Sequence, residues 1–308
     1  MADLSPHLVG RDAVRPDHRL GVIDTHIHLW DRRRHEYPWL NRWSHLGTRV
    51  DATVLGQAVA GLAGAVFVEA GVSPDDAAAE LRWLADQATL CDFPVRVVAR
   101  QLLGDPCWWM NRPGADLVAG VRQVMHLAHS GEIASRDFVA DAREVGEAGR
   151  VVDLTVRAEQ LDEVAHLCGQ APETWFVLDH LGRPEPGAEG FDSWAAALVG
   201  VAAHPNVVCK LSTCALRSDD LGGSDVAARY LARALDVFGA DRCVFGTDWP
   251  VLTHATSYES WLDLVLSVLD DASLAERHAV LAGNARRIYG FPVHSARTNR
   301  VHLVGGAP

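Results

Sequence analysis

The sequence predicts a single-domain (β/α)8 barrel, the TIM-barrel fold, over residues 21–290. Short apolar runs rich in β-branched residues alternate with amphipathic segments throughout this region. The chain has 308 residues and 48% hydrophobic content, which is enough for one barrel with a sizeable core. Residues 1–20 and 291–308 lie outside the alternation, so we expect them to form an N-terminal and a C-terminal arm.

Eight segments fit the pattern of buried strands, since each is short and apolar. They are residues 22–30, 64–71, 94–103, 119–126, 150–157, 174–182, 206–213 and 243–251. Between them, apolar residues recur at three- and four-residue spacing and predict helices at 74–90, 136–149, 158–171, 191–203 and 225–239. Strands that alternate with helices run parallel, and eight such strands can close into a barrel.

A doubly wound open sheet is the competing fold. That fold carries a glycine-rich turn after its first strand. Here the first predicted strand ends in His28-Leu29-Trp30-Asp31, so the barrel is favoured. The stretch 31–52, rich in Arg, His and Trp, is expected to form a long loop over the top of the barrel.

Charge and composition exclude several classes of partner. The formal net charge of −12 disfavours nucleic acid and anionic membranes, and no apolar run reaches the roughly 18 residues of a membrane span. The first residues lack the apolar core of a secretory signal. The six cysteines form no CxxC pair, which predicts reduced thiols in a cytoplasmic protein. The expected partner is a small-molecule substrate, and a homo-oligomer is left open.

Polar residues at the predicted strand ends form the candidate site, because the active site of a barrel lies at the carboxyl ends of its strands. His26 and His28 are two residues apart in the first strand and therefore project to the same side. His180 follows the apolar run of the sixth strand, and Asp248 follows that of the eighth. Three imidazoles and one carboxylate suit a single divalent ion, with zinc as the expected metal.

Five motifs occur in a fixed order along the chain: DTHIHLW at 24–30, GVRQV at 120–124, LDHLGRP at 178–184, CKLS at 209–212 and GTDWP at 246–250. Together they resemble the amidohydrolase superfamily, specifically the amidohydrolase-2 branch that contains sugar-lactone and pyrone-dicarboxylate lactonases. The resemblance covers about residues 20–291. It implies a (β/α)8 barrel, in agreement with the strand count.

The sequence departs from the superfamily pattern at two places. Many members hold two metals bridged by a carboxylated lysine on the fourth or fifth strand, but the predicted fifth strand has neither Lys nor His. The only lysine, Lys210, lies on the seventh predicted strand, so one ion at most is expected. The branch also includes members that work without metal, which leaves metal-independent catalysis as an alternative. Glu69 stands where the resemblance implies glutamine, a change that bears on the metal site or on substrate polarity.

The resemblance and the residues together predict hydrolysis of a polar lactone, either sugar-derived or carboxylated. Asp248 is the expected base that takes a proton from water and later passes it to the departing alkoxide. His26, His28 and His180 would hold the metal or, without one, donate hydrogen bonds to the carbonyl oxygen. Asp24 and Asp179 are candidates for orienting a ligand histidine through a hydrogen bond. Alternatively, each is simply a carboxylate at the edge of a strand.

Further residues are candidates for binding the substrate. Lys210 and Arg122 could pair with a carboxylate or with hydroxyl groups, although a structural ion pair equally explains Arg122. Trp30 and Trp249 flank the metal motifs and could form an apolar wall or simply pack in the core. The weaker candidates are Arg100, His126 and Arg217.

Two other functions compete with lactone hydrolysis. The first is non-oxidative decarboxylation of an aromatic or muconate-type acid, which the wider superfamily performs on a similar site. The Leu29-Trp30-Asp31 and Lys210-Leu211-Ser212 segments favour the lactonase. The second is a catalytically dead barrel that serves as a scaffold, which the intact set of three histidines and Asp248 disfavours.

Overall fold

The computed structural model describes residues 21–184, 188–212 and 223–292. Eight parallel strands form one sheet in the order in which they occur along the chain. They are β1 (Ile23–Ile27), β2 (Gly64–Val68), β3 (Val95–Arg100), β4 (Val118–Val124), β5 (Val151–Thr155), β6 (Phe176–Leu178), β7 (Val207–Leu211) and β8 (Cys243–Phe245). The predicted (β/α)8 barrel is therefore confirmed.

The barrel closes between β1 and the segment that follows β8. Ile27 forms an isolated parallel bridge with Trp249. The backbone N–H of Asp248 donates to the carbonyl of His26 at 2.9 Å, and the N–H of His28 donates to the carbonyl of Trp249 at 2.8 Å. Closure thus places the polar residues at the ends of the first and last strands side by side.

Helices follow the strands, and their apolar residues join those of the strands in the main hydrophobic cluster. They are α1 (Ala52–Ala58), α2 (Ala77–Ala88), α3 (Arg136–Glu147), α4 (Leu161–Gln170), α5 (Ala188–Ala202), α6 (Gly223–Phe238), α7 (Tyr258–Val268), α8 (Leu274–His278) and α9 (Asn284–Tyr289), with a π-helical turn at Ala279–Gly283. Each of the five predicted helical segments overlaps one of these helices, although α5 and α6 begin two or three residues before the predicted segments. The Ser135 hydroxyl begins α3 by accepting the N–H of Phe138.

A second, smaller cluster fills the barrel interior below the site. Strand β2 contributes two residues to this cluster, Val66 and Val68, and each of the other strands contributes one, such as Val98, Val208 and Val244. Residues of α9 complete it. Alternate residues such as Phe67 belong instead to the main cluster, as the two-residue period of a strand requires. Phe291, which the sequence assigns to the C-terminal arm, is buried in this cluster. The rest of that arm beyond residue 292, and residues 1–20, lie outside the described residues.

The long loop between β1 and α1 crosses the top of the barrel, as predicted. Two short antiparallel strands, Trp30–Asp31 and Arg49–Val50, pair at its base. Between them lie two 3-10 turns, Pro38–Arg42 and Ser44–Leu46. The Trp39 indole N–H donates to the carbonyl of Ala70 at 2.6 Å, just beyond the end of β2.

The structure bears on two expectations from the sequence, the lack of a membrane span and the reduced state of the cysteines. Across the described ranges, no helix combines the length and the apolar character of a membrane span. The described cysteines, which form no disulfide bond, are Cys91, Cys107, Cys168, Cys209 and Cys243. Cys214 lies outside the described residues.

Gly120 allows β4 and β5 to approach closely, and its replacement tests their packing. Gly120 pairs with Val151, and a Cβ added at Gly120 would meet the Val151 Cγ2 at 2.5 Å and its carbonyl oxygen at 2.6 Å. Gly120→Ala should lower the free energy of unfolding by about 2 kcal/mol, measured by urea denaturation, because the strands must separate. Gly56→Ala in α1, where no atom lies within 4 Å, is the control and should stabilise by about 0.5 kcal/mol. A Gly120→Ala protein as stable as wild type would contradict this packing.

Candidate active site

The four predicted metal ligands meet at the carboxyl end of the barrel. One ligand atom from each of His26, His180 and Asp248 lies within 4.8 Å of the others. His28 lies beside this group, with its Nε2 3.1 Å from the His26 Nε2 and 3.2 Å from the Asp248 Oδ1. The structure therefore brings together residues that are up to 222 positions apart in the sequence.

The donor atoms of this cluster suit a cation. The Nδ1–H of His28 donates to the carbonyl of Val68 at 3.0 Å, so the neutral ring carries its lone pair on Nε2. That lone pair faces the Nε2 of His26 and a carboxylate oxygen of Asp248. Acceptor atoms this close repel one another unless a proton or a cation lies between them. Imidazole nitrogens and a carboxylate oxygen are the ligands that zinc prefers.

Two of these residues sit in unusual backbone conformations. His180 has φ 53° and Asp248 has φ 67°, values in the left-handed region that non-glycine residues rarely adopt. Such conformations cost of order 1–3 kcal/mol each and concentrate at functional sites. The turn at Asp179–Gly182 is held by the Trp194 indole N–H, which donates to the Leu181 carbonyl at 2.8 Å.

These turns correct the predicted lengths of two strands. The sequence predicted strands through 174–182 and 243–251, but β6 ends at Leu178 and β8 ends at Phe245. The apolar pattern continues past the real strand ends, whereas the backbone turns there to aim His180 and Asp248 at the mouth of the barrel. A strand conformation cannot bring both side chains to the cluster.

Asp24 stabilises the cluster from behind rather than joining it. A register shift in β1 separates Asp24 from the residues that follow it. Its carboxylate accepts the N–H of His26 at 2.9 Å and, from Thr247, the N–H at 3.1 Å and the hydroxyl at 2.6 Å. Burial raises the pKa of Asp24 to about 6, although these hydrogen bonds act in the opposite direction. Asp24 therefore connects β1 with the segment after β8.

Lys210 lies beneath the cluster in a buried network of ion pairs. Its ammonium group has no exposed surface and lies 2.6 Å from Asp153 Oδ2 and 2.9 Å from Asp179 Oδ1. The Tyr289 hydroxyl donates to Asp153 at 3.0 Å, and Lys210 Nζ is 3.2 Å from the Nδ1 of His26. The sequence proposed Lys210 for substrate binding, but the structure places it under the cavity floor, where it contacts His26 instead.

This network sets the charges of its members. Burial lowers the pKa of His26, and the Lys210 ammonium lowers it further, so the ring is neutral. Burial alone would raise the pKa of Asp179, but Lys210 and His26 outweigh it and hold the pKa well below its usual range. The Nδ1 of His26 lies 3.4 Å from Asp179 Oδ1 and 3.2 Å from Lys210 Nζ, so these buried charges orient the ring with its Nε2 facing the cluster.

A cavity of about 490 Å³ opens above the cluster. Its wall includes His28, His180 and Asp248, and its size falls in the range of small-molecule sites. Trp39 and Trp43 of the long loop line it, together with Arg183 and His254, four residues that sequence reasoning missed. The path of the long loop, which the sequence does not specify, determines these contacts.

Trp30 and Trp249 occupy a different place from the one proposed for substrate contact. Both indoles are buried, and neither belongs to the described lining of the cavity. Trp30 packs edge-on against Trp39 with ring centroids 5.9 Å apart and donates to the Gly47 carbonyl. They support the cavity wall from behind, in the packing role that the sequence left open.

Arg122 does line the cavity, and Glu69 holds it in place. The Arg122 Nη1 lies 3.3 Å from Glu69 Oε1 and donates to the Glu69 carbonyl at 3.2 Å, while its Nε donates to the Thr155 hydroxyl at 3.0 Å. The other Glu69 oxygen accepts the N–H of Gly71 and lies 3.7 Å from Arg100 Nη1. Glu69 therefore acts on the substrate wall and not on the metal cluster. Arg217 lies outside the described residues.

Comparison with known proteins agrees with this fold. The family model described as Amidohydrolase matches residues 23–291, and the chain belongs to this family. The resemblance found in the sequence is thereby confirmed. An L-fucono-1,5-lactonase from Burkholderia multivorans (strain ATCC 17616 / 249) is 31% identical over 287 residues, which cover 88% of this chain and 96% of the relative.

Solved structures show the same architecture. An amidohydrolase from Burkholderia multivorans with bound Zn superimposes with a TM-score of 0.77 at 28% identity, covering 88% of this chain and 100% of that one. A putative 2-pyrone-4,6-dicarboxylic acid hydrolase from Pseudomonas putida superimposes with a TM-score of 0.69, covering 90% and 100%. At 23% identity the second likeness establishes the fold alone.

Removal of the Lys210 charge tests the buried network. Lys210→Met should lower the free energy of unfolding by about 3–5 kcal/mol, because Asp153 and Asp179 would remain buried with one positive partner fewer. The double variant Lys210→Met/Asp153→Asn should lose less than the sum of the two single variants, with a coupling of about 0.5–3 kcal/mol. Urea denaturation of all four proteins gives this cycle. Strictly additive losses would contradict a coupled network.

Proposed function

We propose that the protein is a hydrolase that opens a small lactone by attack of water on the ester carbonyl. The observation that carries this proposal is the convergence of His26, His28, His180 and Asp248 at the carboxyl end of the barrel. Of these four, His28, His180 and Asp248 line a cavity of about 490 Å³. Membership of the amidohydrolase family and the similarity to an L-fucono-1,5-lactonase support it.

Asp248 is the proposed base. Burial alone would raise its pKa, but the imidazoles of His180, His28 and His26 outweigh burial and lower the pKa to about 2, so the carboxylate is ionised at neutral pH. An ionised carboxylate can take the proton of a water molecule as the water oxygen bonds to the lactone carbonyl carbon. The same proton then passes to the ring oxygen as the C–O bond breaks, which yields a hydroxy acid.

The proposed cofactor is one zinc ion held by His26, His28, His180 and Asp248. A bound zinc ion would lower the pKa of water and polarise the carbonyl oxygen. The chain positions its ligands through their other atoms: His28 Nδ1 donates to Val68, and His180 Nδ1 lies 2.8 Å from the Ser212 hydroxyl. In a metal-free protein the same imidazoles would provide hydrogen bonds to the developing oxyanion.

Arg122 is the proposed residue that orients the substrate. Its Nε and Nη1 are held by Thr155 and Glu69, so the guanidinium plane is fixed before the substrate binds. A guanidinium fixed in this way presents its remaining N–H groups to a substrate oxygen in a defined direction. The alternative of decarboxylation on the same site has no separate structural observation in its favour. A cytoplasmic location stays a prediction from the cysteine pattern.

Replacement of Asp248 tests the proposed reaction. Asp248→Asn should lower kcat for lactone opening by about 10²–10⁴-fold, since the amide cannot accept the proton. Acid release, followed by a pH indicator over a panel of lactones, measures the rate. Asp263→Asn on the exposed face of α7 is the control and should keep wild-type activity. Full activity of Asp248→Asn would refute the assignment, and carbon dioxide release from carboxylic acids without lactone opening would favour the decarboxylase.

A further inference from the structure

We propose that Glu80 is a positioning residue for the proposed reaction, because it holds a buried proton beside Glu69 and keeps one wall of the cavity in place. Release of this proton at alkaline pH would disturb the wall and weaken substrate binding. The inference rests on the proposed lactonase function. Neither Glu69 nor Glu80 belongs to the described lining of the cavity, so both would act through the residues that they hold.

The turn at residues 69–71, which follows β2, connects Glu80 with the cavity. Glu80, in the first turn of α2, accepts the backbone N–H of Ala70 at its Oε1, at 3.0 Å. Glu69 accepts the N–H of Gly71 at its Oε2, at 2.8 Å. Ala70 and Gly71 both line the cavity. Two buried carboxyl groups therefore hold adjacent amides of one turn in the cavity wall.

The same turn fixes two further residues of the wall. Glu69 holds Arg122 through its Oε1 at 3.3 Å and through its carbonyl at 3.2 Å. The indole N–H of Trp39 donates to the carbonyl of Ala70, and a Cβ added at Gly71 would meet the indole at 3.1 Å. A displacement of the turn would therefore move Arg122 and Trp39 together.

The burial and the partners of the two carboxyl groups place one proton on Glu80. Glu69 and Glu80 are 0% and 1% exposed, and two carboxylates in one buried site cannot both be ionised without a large cost. Arg122 at 3.3 Å and Arg100 at 3.7 Å stabilise the ionised form of Glu69. Glu80 forms no ion pair with a described residue, so the proton belongs on Glu80.

The groups around Glu80 place its titration in the alkaline range. Burial is the largest cause, and together with the negative charge of Glu69 it raises the pKa of Glu80 from 4.5 to about 8. The N–H of Ala70 and the positive charge of Arg100 act in the opposite direction. Tyr37 faces Glu80 from the long loop, and burial and the neighbouring Glu80 raise the pKa of its phenol, so it stays neutral. Loss of the Glu80 proton would place two negative charges against adjacent amides and drive the carboxylates apart.

Carbon NMR of protein labelled at the glutamate carboxyl carbons tests the pair directly and needs no substrate. Wild-type protein should show a carboxyl resonance that titrates with a midpoint at a pH of about 8, and Glu80→Gln should lack it. Glu69→Gln should move the midpoint to lower pH, because the repelling charge is gone and Arg100 is freed to attract the Glu80 carboxylate. Glu147→Gln at the exposed end of α3 is the matched control and should leave the midpoint unchanged.

The pH dependence of KM tests the positioning role. For the lactone that wild-type protein opens fastest, KM should rise about tenfold between about pH 7 and about pH 9 with a smaller change in kcat, as expected for loss of one charge-assisted hydrogen bond to Arg122. Glu80→Gln keeps an acceptor for the N–H of Ala70 and cannot ionise, so it should show no such rise. Glu147→Gln should show the wild-type rise. Spontaneous opening of the lactone, measured without enzyme, is subtracted at each pH.

The outcomes separate the inference from the proposed function. A Glu80 carboxyl that titrates near its usual value of 4.5, or a midpoint unaffected by Glu69→Gln, would overturn the protonated pair. An equal rise of KM in wild type and in Glu80→Gln, or no rise in wild type, would overturn the positioning role while leaving the lactonase intact. Wild-type protein that opens no lactone would overturn the proposed function, and the NMR titration would still decide whether Glu80 holds the proton.

Discussion

Closure of the barrel and assembly of the candidate site depend on the same hydrogen bonds. The backbone of His26 accepts from Asp248, and the backbone of His28 donates to Trp249, so the seam between the first and last strands runs through the proposed ligands. Asp24 strengthens the seam by bonding to both sides of it. A barrel that failed to close here would lose the ligand cluster together with the fold.

Below the seam, the buried network around Lys210 supports the cluster. Ionised groups without exposed surface are stable only when paired, and Lys210 is paired with both Asp153 and Asp179. The network reaches His26 at its Nδ1 and thereby leaves the opposite nitrogen to face the cavity. Beneath the floor, the ammonium group of Lys210 is already paired with two carboxylates.

Much of the fold and the core of the site could be predicted from the sequence, because both depend on short-range patterns. Apolar periodicity located all eight strands, and the two-residue spacing of His26 and His28 placed them together. Conformations imposed by tertiary contacts could not be predicted in this way. The left-handed turn at His180 lies within a continuing apolar run, and the approach of Trp39 and Trp43 to the cavity depends on where the long loop packs.

Zinc-edge anomalous diffraction from crystals of the zinc-loaded protein tests the central claim most directly. The account predicts one strong anomalous peak per chain, among His26, His28, His180 and Asp248, because their imidazole nitrogens and carboxylate oxygen converge as zinc ligands do. Two peaks, with the second beside Lys210, would contradict the single-ion centre. A peak elsewhere, with none at the four residues, would contradict the proposed site.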